Sequence, residues 1–220
     1  MELKNKKIAF LGDSITEGVG VSAQDKIYWN LIAEATGAKC YGYGISGTRI
    51  ALQRTPTTIH DPSFDRYFAS RIEEMIPDAD IVVVFGGTND FGHGDAALGD
   101  MNDRTIDTFY GAYHDLLTKL MEKYPNGQIV VMTPLHRDDE NDMHYNNYGV
   151  RRAAPLCVYV DAIREVAAYY GIPVADMYAD CLINPNSPYL KARYAIDGLH
   201  PNDAGHVLVA NTLLNKLKTL

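Results

Sequence analysis

Residues with the chemistry of a nucleophile and its base stand near opposite ends of this 220-residue chain. Ser14 lies in a Gly-Asp-Ser turn, and His200 follows Asp197 by three residues. On a single turn of chain, the Asp197 carboxylate can reach one ring nitrogen of His200 while the other nitrogen faces Ser14. This pattern is typical of a catalytic triad, with Ser14 as the nucleophile and His200 as its general base.

Acyl transfer also needs N–H donors for the negative oxygen that develops during the reaction. Gly47 ends a Gly-Ile-Ser-Gly run, and glycine lets its main-chain N–H approach a ligand without a side chain in the way. Asn89, in Gly-Gly-Thr-Asn-Asp, offers a side-chain amide. With the main-chain N–H of Ser14 as a third donor, we expect Ser14, Gly47 and Asn89 to form an oxyanion hole.

The elements that must position these residues are predicted from the hydrophobic pattern. Short β-branched runs alternate with longer segments of helical period, which indicates a parallel sheet covered by helices on both faces. The predicted strands are residues 7–11, 38–41, 81–85, 128–133 and 173–175. The predicted helices are residues 61–75, 106–121, 156–170 and a last helix after Pro201. The candidate residues stand at strand ends, which meet at one edge of a parallel sheet.

Composition excludes several classes of protein. The 20 Lys and Arg against 28 Asp and Glu give a net charge of −8, which argues against nonspecific binding to nucleic acid or to an anionic membrane. No apolar run approaches the ~20 residues of a membrane span. The three cysteines have no metal-binding spacing, so a reduced, cytoplasmic setting is expected.

Four motifs, taken together and in order, resemble the SGNH (GDSL) hydrolase family over essentially the whole chain. They are Gly-Asp-Ser, Gly-x-Ser-Gly, Gly-x-Asn-Asp and Asp-x-x-His-Pro. The resemblance implies one domain over residues 1–220 with a flavodoxin-like, three-layer α/β/α fold and a doubly wound, five-stranded parallel sheet. It also implies a serine esterase, lipase or acylhydrolase that needs no cofactor. In it, Ser14, Asp197 and His200 match the triad, and Gly47 and Asn89 match the oxyanion donors.

Two long polar segments, residues 86–103 and 134–155, follow predicted strand ends, where open α/β sheets bind ligands. We expect Asp13, His136 and Tyr145 to contact the substrate, a small-molecule ester of short acyl length or linked to a carbohydrate. The acidic run at 138–142 is expected to be a solvated rim.

Two other functions stay open from the residues alone. A metal-dependent phosphoesterase would use Asp13, Asp90, Asp197 and His200, because oxygen and imidazole ligands at strand ends can hold metals. A noncatalytic ligand-binding protein could also keep this fold. Sensitivity to a chelator separates the first from a serine mechanism. The 15 tyrosines are compatible with assembly into a homo-oligomer.

Overall fold

A five-stranded parallel sheet forms the centre of the computed structural model, which describes residues 2–55, 62–144 and 149–220. The strands are β1 (Lys7–Gly12), β2 (Lys39–Gly44), β3 (Ile81–Phe85), β4 (Gln128–Met132) and β5 (Val174–Ala175). Their order in the sheet is β2-β1-β3-β4-β5, and every neighbouring pair is parallel. The order reverses beside β1, so the sheet is doubly wound and the predicted fold class is confirmed.

Helices cover both faces of this sheet. They are α1 (Ser14–Glu17), α2 (Tyr28–Thr36), α3 (Thr88–His93), α4 (Phe109–Lys123), α5 (Leu156–Tyr169), α6 (Met177–Asp180), α7 (Pro188–Tyr194) and α8 (Asp203–Lys218). Helices α4 and α5 pack on one face, while α2 and α8 pack on the other. None of the helices within the described residues has the length and apolar character that crossing a membrane requires.

The hydrophobic core has two layers because successive strand side chains point to opposite faces. In β3, Val82 and Val84 pack with α4 and α5, whereas Ile81, Val83 and Phe85 pack with α2 and α8. All five residues are buried. A strand covered on both faces therefore has a continuous apolar sequence, which is why β3 was predicted with its observed ends.

The predicted helix over residues 61–75 is wrong. Two short 3₁₀ helices, Pro62–Asp65 and Phe68–Glu74, occupy the described part of this region, and Asp61 lies outside it. Tyr67 separates them and makes a parallel bridge with Arg49. That pairing takes the backbone of Tyr67 out of helical geometry, so a continuous helix cannot form. Tertiary contacts here override the local preference for a helix.

Candidate active site

Ser14, His200 and Asp197 form a hydrogen-bonded series at the carboxyl edge of the sheet. Ser14 begins α1 directly after β1, and its Oγ lies 3.0 Å from Nε2 of His200. Nδ1 of His200 lies 2.8 Å from Oδ2 of Asp197. A carboxylate only accepts, so Nδ1 carries the proton and Nε2 is free to accept the hydrogen of the Ser14 hydroxyl. This is the arrangement that a serine nucleophile requires.

The loop before α8 holds Asp197 in its charged form. Partial burial acts to raise the pKa of Asp197, but hydrogen bonds from the His200 side chain, the His200 N–H and the Leu199 N–H outweigh it. The pKa of Asp197 consequently lies below its usual range. Its Oδ1 accepts both main-chain N–H groups, at 2.6 Å from His200 and 2.7 Å from Leu199. The carboxylate therefore stays ionised and fixed in orientation beside the imidazole.

The three expected oxyanion donors lie at the ends of three neighbouring strands. Gly47 follows β2 and has a φ of 74°, a left-handed conformation that glycine adopts without strain. Asn89 is the second residue of α3, and one hydrogen of its Nδ2 is bonded to the Thr48 carbonyl at 3.0 Å. The other Nδ2 hydrogen stays available. No described residue accepts a hydrogen bond from the main-chain N–H of Ser14 or Gly47.

A cleft of about 450 Å³ brings these groups together. Its described lining includes Ser14, Gly47, Asn89 and His200, whereas Asp197 lies behind the imidazole. The remaining lining residues are Val19, Ser46, Gly92, His93, Arg137, Asp139, Arg152 and Leu199. The candidate nucleophile, its candidate base and the expected oxyanion donors thus line one cleft.

His93 is a member of the cleft wall. Its Nε2 donates to the Gly47 carbonyl at 3.0 Å, so Nε2 is the protonated nitrogen. The bond joins the last residue of α3 to the loop after β2. In the sequence, its position in the long polar segment 86–103 was the feature that pointed to a place near the ligand.

Arg71 is a buried residue near the candidate site that the sequence did not reveal. Its side chain is buried, with 2% of its surface exposed, in the second 3₁₀ helix. The guanidinium donates to the carbonyls of Gly12 and Tyr43 and to the Thr48 hydroxyl, at 2.9, 3.0 and 3.1 Å. It therefore ties together the ends of β1 and β2 and the loop that contains Gly47. Burial lowers the pKa of Arg71 to about 10.

Asp90 fastens α3 to the same loop. Its two carboxyl oxygens accept the main-chain N–H groups of Ile50 and Ala51, both at 2.9 Å. Burial raises the pKa of Asp90 to about 7, although these hydrogen bonds act to lower it. The Asn89 side chain and the Gly47 main chain consequently lie on two elements that Asp90 joins.

Of the three residues predicted to contact substrate, Asp13 and His136 do not line the described cleft. Asp13 is buried, and its carboxylate caps α1 by accepting the Ile15 N–H at 3.1 Å. Burial raises the pKa of Asp13 to about 6. The ring of His136 packs against Tyr178, with ring centroids 3.8 Å apart, and His136 does not appear in the described lining. Tyr145 lies outside the described residues.

The acidic run at 138–142 is a solvated rim only in part, because Asp138 and Asp142 are exposed whereas Asp139 and Glu140 are not. Asp139 bridges Arg137 and Arg152, and Glu140 is buried against His136, with Nδ1 and Oε2 2.8 Å apart. Partial burial acts to raise the pKa of Asp139, but the two arginines hold it below its usual range. The segment is therefore held by ion pairs that lie within the structure.

The carboxylates of the alternative phosphoesterase site have separate partners. Asp13 caps α1, Asp90 binds the loop after β2, and Asp197 binds His200. Within the part of the chain that the structure describes, no three His, Cys, Asp or Glu side chains gather in a metal-binding arrangement. The structure does not assemble the site that this alternative needs.

Comparison with known proteins agrees with the geometry. The model of the GDSL-like lipase/acylhydrolase family matches residues 10–208, which include Ser14, Asn89 and His200. This chain belongs to that family. The match of a GDSL-like hydrolase model confirms the resemblance found in the four motifs. None of the curated proteins with which the sequence was compared matches it.

Solved structures share the fold of this GDSL-like hydrolase over nearly its whole length. A protein from Lactobacillus plantarum is 32% identical with a TM-score of 0.80, and the alignment covers 98% of each chain. A possible lipase from Chitinophaga pinensis DSM 2588 is 22% identical, with a TM-score of 0.69 and coverage of 97% of this chain and 98% of its own. The acetyl xylan esterase AlAXEase is 24% identical, with a TM-score of 0.66 and coverage of 95% and 98%.

Proposed function

We propose that this GDSL-like hydrolase is a serine esterase that cleaves carboxylic esters through an acyl-enzyme on Ser14. The hydrogen-bonded series of Ser14, His200 and Asp197 beside the cleft is the observation that carries the proposal. Its distances of 3.0 and 2.8 Å are those of a base in contact with both its nucleophile and its orienting carboxylate.

Acylation begins when His200 Nε2 takes the proton of the Ser14 hydroxyl as Oγ attacks the ester carbonyl. The charge that develops on the carbonyl oxygen is stabilised by N–H donors from Ser14, Gly47 and Asn89. The tetrahedral intermediate then collapses, and His200 gives its proton to the departing alkoxide. The first product is an alcohol, and the acyl group stays on Ser14.

Deacylation repeats these steps with water as the nucleophile. His200 Nε2 removes a proton from a water molecule, whose oxygen attacks the acyl carbonyl and forms a second tetrahedral intermediate in the same oxyanion hole. Collapse returns the proton to Ser14 Oγ and releases the carboxylic acid. Asp197 stabilises the imidazolium in both halves of the cycle without itself taking a proton.

A short acyl group on a polar or carbohydrate alcohol is the substrate class that we propose. Val19 and Leu199 are the aliphatic side chains in the described lining, and the remaining members are polar, charged or glycine. This lining offers little apolar surface for a long acyl chain. The acetyl xylan esterase with the same fold is consistent with the proposal.

The proposal is tested by hydrolysis of 4-nitrophenyl acetate, butyrate and octanoate. We expect turnover that falls with chain length and that Ser14→Ala abolishes, because no other group in the site replaces the nucleophile. EDTA in parallel reactions should leave the rate unchanged. Ser70→Ala, at an exposed serine outside the cleft, is the matched control and should behave as wild type.

Two results would overturn the proposal. If Ser14→Ala retains more than a few per cent of the activity, the nucleophile is wrong. If no ester is cleaved and a fluorophosphonate fails to label Ser14, the site is not a working serine hydrolase, and the noncatalytic alternative replaces it.

A further inference from the structure

Two guanidinium groups lie in the same cleft as Ser14 and His200. Arg137 and Arg152 both line it, although only 12% and 6% of their side-chain surfaces are exposed. Asp139 is the sole carboxylate among the described lining residues, and it accepts hydrogen bonds from both arginines. The wall of the cleft thus carries two positive charges and one negative charge, in a protein whose net charge is −8.

The hydrogen bonds within the protein leave part of each guanidinium unused. Arg137 donates through Nε and Nη2 to Asp139 and through Nη1 to the Thr88 carbonyl and hydroxyl. Arg152 donates through Nη1 to the carbonyls of Asp139 and Asp142 and through Nη2 to the Asp139 carboxylate. A guanidinium has five N–H groups. One Nη2 hydrogen of each arginine, and the buried Nε of Arg152, have no acceptor among the described residues.

A second carboxylate, that of Asp142, lies near Arg152 but does not line the cleft. Asp142 Oδ2 is 3.8 Å from Nη1 of Arg152, which is beyond hydrogen-bond distance. Asp142 is half exposed, does not line the cleft and bonds through Oδ1 to His144. Asp142 is therefore an ion-pair partner of Arg152 outside the described lining, and the lining itself holds two arginines and one carboxylate.

The two guanidinium groups are held rigidly beside the catalytic residues. Both stack on the buried ring of Phe91 in α3, at 5.1 Å for Arg137 and 4.4 Å for Arg152. Gly92 leaves the space that Arg137 needs, since a Cβ at that position would lie 2.6 Å from Nη1. Because α3 also carries Asn89, the guanidinium groups and an oxyanion donor are positioned by one element.

We propose that Arg137 and Arg152 bind an anionic group, of the carboxylate or phosphate type, on the ester substrate. This inference rests on the proposed ester hydrolysis and narrows its substrate class. The planar N–H fork of arginine suits the paired oxygens of such a group. A local positive wall also offsets the repulsion that an anion meets on approaching a protein of net negative charge.

The test compares two esters that differ in charge and little in shape. The pair 3-acetoxybenzoate and 3-acetoxybenzamide places the carboxylate on the alcohol side, and monomethyl succinate with methyl succinamate places it on the acyl side. Each kcat/KM is divided by the rate of hydroxide-catalysed hydrolysis, which removes differences in intrinsic reactivity. We expect one anionic ester to be preferred over its amide by about 10-fold or more, because hydrogen bonds to a charged group are stronger than hydrogen bonds to a neutral one.

Salt and substitutions identify the residues responsible. Potassium chloride at high concentration should lower the preference, because it screens the charges. Arg137→Gln and Arg152→Gln should each bring the ratio of anionic to neutral ester close to one, while Arg152→Lys keeps part of it. Arg104→Gln, which removes the same charge from an exposed position outside the cleft, should leave the ratio as in wild type. Thermal melting checks that each variant is folded.

A binding measurement tests this inference independently of whether the protein hydrolyses esters. The dissociation constants of the four esters with Ser14→Ala protein, measured by calorimetry, need no turnover. Tighter binding of an anionic ester supports the inference even if wild type hydrolyses nothing, in which case only the proposed function fails. Equal kcat/KM and equal affinity within each pair would overturn the inference, as would an anionic preference that survives in both glutamine variants.

Discussion

The Asp197 carboxylate determines which nitrogen of His200 carries the proton. An amide at this position can present an N–H to Nδ1, which stabilises the tautomer with its proton on Nε2, where the Ser14 proton must go. We therefore expect Asp197→Asn to lower kcat by about 10³–10⁴-fold. The measurement is steady-state hydrolysis of 4-nitrophenyl acetate.

A control variant and a contradicting outcome complete the test of Asp197. Asp180→Asn, a matched change at an exposed carboxylate remote from the cleft, should leave kcat unchanged. An Asp197→Asn protein with nearly full kcat would show that the orientation of His200 comes from another group.

Asn89 is predicted to act on the transition state rather than on the bound ester. The second N–H of its Nδ2 amide forms its strongest hydrogen bond when the carbonyl oxygen becomes negative. We expect Asn89→Ala to lower kcat by about 10²–10³-fold with little change in KM. Asn215→Ala, at an exposed position on α8, is the control. A raised KM with an unchanged kcat would instead mean that Asn89 only binds the ground state.

At the residue scale, side-chain chemistry in a motif was predictable and side-chain direction was not. Ser14, His200 and Asp197 occur in short motifs whose chemistry is unusual, and the structure places them within hydrogen-bond distance. His136 follows β4 at the correct edge of the sheet, but its ring turns to Tyr178. Nothing in the sequence distinguishes such a ring from one that faces the cleft.

At the scale of elements, Arg71 joins two strand ends to the loop that carries Gly47. In Arg71→Met, the carbonyls of Gly12 and Tyr43 and the Thr48 hydroxyl lose a buried donor, which costs about 1–3 kcal/mol for each unpaired group. Gly12 keeps a second donor, the Ile45 N–H at 3.2 Å. We expect the free energy of unfolding in urea to fall by about 2–4 kcal/mol.

The catalytic effect of the Arg71 change separates positioning from simple loss of fold. Under conditions where the variant is fully folded, kcat should fall while KM changes little, because Gly47 loses its fixed position. Arg71→Lys should recover part of both losses. Arg104→Met, an arginine replaced at an exposed site, should change neither quantity. Full stability and full kcat in Arg71→Met would rule out this role.

Strands were easier to predict than the short helices. The strands β1 and β3 are buried on both faces, so their sequences are continuous apolar runs that are easily recognised as strands. Helices α1 and α6 have four residues each, which is too short for a helical period to show. The 3₁₀ segment with Arg71 has apolar residues at helical spacing, but contacts with distant strand ends set its geometry.

Across the whole molecule, His206 makes stability depend on pH. Its ring, with no exposed surface, accepts the Tyr28 N–H through Nδ1 at 3.2 Å and so links α8 to α2. Burial lowers the pKa of His206 to about 4. Between pH 6.5 and 4 the unfolded chain therefore binds a proton that the folded protein does not. Stability from this group is complete above about pH 6.5 and is lost as the pH falls.

The pKa of His206 differs by about 2.5 between the unfolded and the folded protein, which corresponds to about 3 kcal/mol in the free energy of unfolding. We expect His206→Gln to reduce the change in the free energy of unfolding between pH 4 and 7 by at most this amount. Urea unfolding from pH 4 to 7 measures it. Asp90 and Asp13 have raised pKa values and contribute slopes of opposite sign, so the difference between wild type and variant isolates His206. His144→Gln, at a ring that is 92% exposed, should keep the wild-type profile. Identical profiles for wild type and His206→Gln would contradict the assignment.

The doubly wound parallel sheet followed from the family resemblance, whereas the walls of the cleft did not. Four motifs at strand ends were enough to predict that the candidate residues meet at one edge of the sheet. The pairing of Arg137 and Arg152 through Asp139 depends on how the segment after β4 folds back onto α3. That path is decided by long-range contacts, which a local pattern does not contain.

The hydrogen bond between Ser14 and His200 joins residues 186 positions apart. During translation the serine emerges from the ribosome well before its base has been added to the chain. Until then Ser14 is an ordinary alcohol with no group to take its proton. In the proposed mechanism, ester cleavage therefore requires that the segment carrying His200 has been synthesised and has folded against the end of β1.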